Sequence, residues 1–184
     1  MEPLGWPNEN ESMGQFCGYL GKVAIMVAVI VCGLVALRAN ESRNVPEGWQ
    51  KEFVPGVDGA WINPKMPGLL VTLVRAKAER PLGFKGATNQ DIASGISGLR
   101  RVTLEQFGFR DWTLKGFSYK KSSPERVEMN GHYVTPEGAR VQFWERQAYR
   151  GQRYVQVSLM AEGTTPAESE VSRILDQFSV GENP

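Results

Sequence analysis

His132 is the single histidine of the chain, set in the run Met129-Asn130-Gly131-His132-Tyr133, and any imidazole chemistry has to be built around it. A base acting on a nucleophile needs a serine and a carboxylate beside it. Ser118 or Ser158 with Asp111 could be assembled on paper, but neither serine lies in a Gly-x-Ser-x-Gly turn. Between Gly131 and Tyr133, His132 reads as a polar-face strand residue, and a pocket joining it to Glu128 or Asp111 defines the rival enzymatic reading. Both cysteines, Cys17 and Cys32, precede residue 39, so the remainder of the chain offers neither a disulfide nor a thiolate ligand. A metal site would depend almost wholly on carboxylates, and no acidic cluster has the spacing of a cation-binding loop. No catalytic, metal or cofactor residue is assigned on these grounds.

Other side-chain groupings point to surfaces. Gly83, Gly86, Gly95 and Gly98 lack the Gly-x-x-x-x-Gly-Lys-Ser/Thr spacing of a phosphate loop, and Gly95 with Gly98 suggests close backbone approach instead. Lys115, Lys120 and Lys121 interleave with Trp112, Phe117 and Tyr119 in the manner of a nucleic-acid platform. Asp111, Glu125, Glu128 and Glu137 dilute that charge; 19 basic and 17 acidic residues follow position 38, and nucleic acid is not an expected partner. The run from Phe143 to Arg150 places aromatic side chains on both faces of one strand, so Phe143, Trp144, Arg146 and Tyr149 are the expected partner-binding residues. No small-molecule substrate is expected.

Patterned elements must position these groups. Leu69 to Val74 is a nearly continuous apolar run of strand-forming residues, as in a strand covered on both faces. Thr88 caps a helix with Asp91 three residues on, and Ile92, Ile96, Leu99 and Val102 form its stripe through residue 106. Residues 112–119, 126–133, 139–148 and 152–161 read as four successive strands, joined in a meander by turns at 135–138 and 149–152. A last helix is capped by Thr165, with Pro166 in its first position, Glu168 completing the box, and Val171, Ile174, Leu175 and Phe178 along one side. This order predicts an α+β fold in which helices cover an antiparallel sheet.

The N-terminal part reads differently. Val23 to Leu37 contains no charge, and extension back to Phe16 gives a run long enough to span a bilayer if Lys22 reaches the interface. The expected organisation is a short polar tail over 1–15, a transmembrane helix over 16–38, a linker over 39–48 and a domain over 49–180. Glu2, Glu9 and Glu11 ahead of the run, with no Lys or Arg before Lys22, argue against a cleaved signal peptide. Trp49 and Trp61 would then contact the headgroup belt or close the core.

The segment from Gly151 to Gly163, leading into Ile174-Leu175-Asp176-Gln177-Phe178-Ser179-Val180, resembles the end of PsbP-like domains, a family with bacterial DcrB-like members. The likeness extends loosely over most of residues 47–180. It implies a PsbP-like α/β/α sandwich, no cofactor and an accessory or assembly role without enzymatic activity. Combined with the apolar run, this gives a single-pass bacterial inner-membrane protein with a periplasmic domain. It would touch lipid through 16–38 and stabilise an integral membrane protein complex. An envelope ligand-binding protein, or an enzyme with a site near His132, is the alternative.

Overall fold

The computed structural model describes residues 45–77, 84 and 86–179. Seven strands form one antiparallel sheet: β1 (Gln50–Glu52), β2 (Gly59–Ile62), β3 (Leu69–Lys77), β4 (Arg110–Lys120), β5 (Glu125–Val134), β6 (Arg140–Arg150) and β7 (Arg153–Glu162). Helix α1 (Asn89–Gln106) falls between β3 and β4, and α2 (Glu168–Ser179) follows β7. The spatial order is β1-β2-β3-β7-β6-β5-β4, so the meander β4 to β7 docks its last strand on β3.

Each helix has its own face of this sheet. Under α2 lie Trp61, Val71, Leu73, Val157 and Leu159, with Trp49 and the helix's own Val171, Ile174, Leu175 and Phe178 completing the core. The opposite face buries Val54, Leu70, Met129, Tyr133, Val141, Phe143 and Met160 with Leu104 of α1. β3 and β7 are buried along most of their length because the core under α2 covers one face and the second core lies on the other. Trp49 and Trp61 close the core by packing on Phe178, at ring-centroid separations of 5.2 and 4.8 Å.

Several local expectations need revision. The Thr88–Asp91 capping box is present, but α1 does not bury the stripe expected of it. Leu99 and Val102 are exposed, and Arg100, Thr103 and Leu104 join Ile92 on the buried side. The helix is rotated because its Arg100 pairs with a carboxylate of the sheet. Gly95 and Gly98 do not serve close packing: a Cβ at either would meet nothing within 4 Å. Thr165 lies ahead of α2, where its hydroxyl accepts a 2.7 Å hydrogen bond from the Gln142 side chain, and Ala167 supplies the carbonyl for the first helical bonds. β4 carries register shifts at 110–113 and 114–116, with Asp111 at a φ of 55° in the first. Such bulges twist an edge strand and obstruct pairing with another chain.

The expected membrane span also requires correction. A span needs about 20 predominantly apolar residues, and among the described residues no helix is long and apolar enough to cross a membrane. The longer helix, α1, has 18 residues and includes Asp91, Arg100, Arg101 and Glu105. The segment 16–38 itself, the tail 1–15 and the start of the linker lie outside the described residues. Within the described residues the fold is an antiparallel sheet flanked by two helices, neither of which could cross a membrane. The readings that depended on a transmembrane helix have no support in the described structure: lipid contact through 16–38, an inner-membrane location with a periplasmic domain, and an anchored subunit of an integral membrane complex.

Candidate functional site

Alternation along β6 separates the four expected partner-binding residues into two groups, since successive side chains of a strand point to opposite faces. Phe143 and Tyr149 face α1. Phe143 is buried and stacks on Trp112 at 4.7 Å, and half-buried Tyr149 meets Phe84 edge-on and donates to Gln147. Trp144 and Arg146 face α2. Trp144 is partly buried against the α2 core. Arg146 reaches Asp176 and Ser172 on α2 and lies 3.3 Å from Glu128 on β5, tying helix and neighbouring strand to β6.

Behind Phe143 the same strand carries a polar ladder that alternation does not distinguish from a wet face. Glu145 is buried and receives two hydrogen bonds from the equally buried Arg100, one of 2.8 Å from Nη1 to Oε2. Gln147 also donates to Glu145, Ser158 donates to it at 3.3 Å, Gln156 donates to Ser158 at 2.9 Å, and Tyr154 donates to Gln156. Burial pulls the Arg100 pKa down, but the Glu145 carboxylate more than offsets this and the guanidinium remains charged. Arg100 also lies 5.8 Å from the centroid of the Trp112 ring. This network fixes α1 on the sheet.

His132 lies on the opposite face from Ser158, in register with Thr113 and Gln142, so those two groups do not converge. Ser118 shares the His132 face but pairs with Glu128, farther along the strands. The half-exposed imidazole is held below its ordinary pKa by desolvation first, then by Arg140 and Lys115, against an opposing pull from Asp111. Its neutral form is therefore the one folding favours. Below the unfolded pKa of about 6.5, the unfolded chain binds the proton more readily, so stability falls as pH drops from that value toward the folded pKa. His132→Asn is expected to flatten this slope in urea midpoints measured between about pH 5 and pH 7; an unchanged slope would show that another group causes it.

The described residues leave two surfaces uncovered. α2 lies along β7 and the near side of β6, leaving the outward face of β5 and β4 with exposed or half-exposed Ser118, Lys120, Arg126, Glu128, Asn130 and His132. Arg140 extends the basic character of that face at the start of β6. On the other side, α1 and β4 enclose a groove of about 400 Å³. It was not legible as a site because its lining mixes small, polar and half-buried residues from two elements. Among the described residues no group of three or more His, Cys, Asp or Glu is placed to hold a metal.

These features define an α+β sandwich with a half-open sheet and a helix-to-edge groove. No family model and no curated protein matches the chain. Among solved structures, the cyanobacterial PsbP protein CyanoP from Synechocystis sp. PCC 6803 matches with a TM-score of 0.50 and 13% identity, over 74% of this chain and 81% of that one. LpqN of Mycobacterium tuberculosis, described as involved in cell envelope biogenesis, matches with a TM-score of 0.40 and 12% identity over 79% and 85% of the respective chains. PA94 of Pseudomonas aeruginosa, described as a protein of unknown function and regulator candidate, matches with a TM-score of 0.39 and 14% identity over 82% and 96%. The chain thus has a distant structural likeness to a PsbP protein, a likeness of fold alone.

Proposed function

We propose that the chain is a protein-binding domain of PsbP-like type, with an acidic protein surface as its partner and the open half of the sheet as its docking face. The observation that carries this reading is charge placement. Lys120, Arg126 and Arg140 stand on that face, with Glu128 among them engaged by Arg146 and Asp111 near His132 at its end. Trp144 and Arg146 form its border with α2, fixed in place by the α2 core and by Asp176. Phe143 and Tyr149 support the same strand from behind. A fixed aromatic beside satisfied cations is the kind of anchor that loses little side-chain entropy on binding, and the surrounding positive charge would steer an acidic partner.

A photo-crosslinking residue at Asn130, in the full chain expressed in its own cells, tests this reading. A discrete adduct with an acidic protein is expected, and it should disappear in the Arg126→Glu/Arg140→Glu variant while the domain remains folded. No adduct, an adduct with nucleic acid, or one indifferent to the charge reversal would overturn the proposal.

A further inference from the structure

We infer that the groove between α1 and β4 is a binding site for a small amphiphile with one anionic head, a carboxylate or a phosphate monoester. Its volume of about 400 Å³ falls within the range of small-molecule sites. The chemistry of its walls is divided. Leu114 and Phe117 of β4 line it while their other sides pack on the α1-side core, giving an apolar floor. Arg101 from the helix and Lys115 at the bulged strand edge, whose charge also reaches His132, bring positive charge to the groove, and no carboxylate lines it. Both cations are exposed, and among the described residues neither forms an ion pair. An apolar body on Leu114 and Phe117 with an anion toward Arg101 satisfies both parts; a neutral ligand gains nothing from the cations and a cationic one is repelled.

A second observation concerns Gly98, which lines the same groove. Glycine is the least favourable residue other than proline in a helix interior. Nothing in the packing requires it here, since a Cβ at Gly98 would enter open space, and the backbone is ordinary helix. The absent side chain leaves the groove wall low. The site also stands on a rigid support: Trp112 donates a 3.0 Å hydrogen bond to Ser97 across the α1–β4 junction, and Arg100, next to Arg101, is locked to Glu145. This site lies across the sheet from the proposed protein-docking face, and its test is independent of that reading.

Octanoate and octyl phosphate are suitable probes, with octanol as the neutral control, titrated into the full chain while backbone amide resonances are followed. Saturable shifts are expected at Gln90, Ser94, Gly98 and Leu114 to Phe117, with either anion binding at least tenfold more tightly than octanol. Arg101→Glu should abolish that preference. Gly98→Leu should block both anions and octanol, with Ser94→Leu as a second filling variant in case the first disturbs the fold. Equal affinity for octanol and the anions, shifts outside the groove, absence of saturation by both anions, or undiminished binding in a folded filling variant would overturn the inference.

Discussion

Glu145→Ala is expected to destabilise the domain by about 3–5 kcal/mol, the range for breaking one side of a buried ion pair. The residue is 3% exposed and its partner Arg100 1%, so water cannot replace the lost carboxylate. The remaining guanidinium would stay charged among Trp112, Phe143 and the sheet, and Gln147 and Ser158 would lose the acceptor they now share. Arg100→Met/Glu145→Leu should cost less than Glu145→Ala, because it removes both charges and leaves only neutral polar groups without partners, at about 1–3 kcal/mol. Urea denaturation of Arg100→Met, Glu145→Leu and the double variant, combined as a cycle and set beside Glu145→Ala, measures this directly. A loss below about 1 kcal/mol for Glu145→Ala would mean that the pair is solvated. The consequence extends to binding, since the pair fixes the rotation of α1 and hence which residues face β4.

Phe178→Ala is expected to cost about 3–5 kcal/mol, and Ile174→Ala about 2–5 kcal/mol, through lost burial and an unfilled cavity. Phe178 is 3% exposed and Ile174 0%. Phe178 has the additional role of bridging both tryptophans: Trp49 meets it at 84° and Trp61 at 45°. Its loss would therefore loosen the segment before β1 and the β2 strand as well as α2. Far-ultraviolet dichroism and tryptophan emission, followed together during denaturation, check both effects. If neither midpoint moves in either variant, α2 does not cover the core. A red-shifted emission in native Phe178→Ala would report water reaching Trp49 or Trp61.

Patterns requiring only local information were legible in the sequence. The 3.6-residue spacing of Val171, Ile174, Leu175 and Phe178 specifies α2 and its buried side, because an amphipathic helix has one apolar stripe to bury. The continuous apolar run of β3, the alternation in β7 and the turn glycines of the meander likewise specify an antiparallel sheet beneath helices. The distant resemblance to PsbP-like domains rests on this order of elements.

What tertiary structure decided is how those surfaces are used. Alternation assigns Gln156 and Ser158 to the face opposite Val155, Val157 and Leu159, but it cannot reveal that both faces are covered and the polar side is a buried network. Arg100 and Arg101 are adjacent and chemically identical in sequence. A helix separates neighbours by about 100°, and the placement of Glu145 on β6 puts one arginine in the core and leaves the other beside a groove. The same rotation exposes Leu99 and Val102 despite their apolar spacing. It follows from a contact between residues 45 positions apart, whose desolvated charges must remain together, and no local periodicity carries that requirement. The sequence by itself determined which elements form and their apolar faces; the long-range pairing of charge decided the rotation of α1 and, with it, the groove it shares with β4.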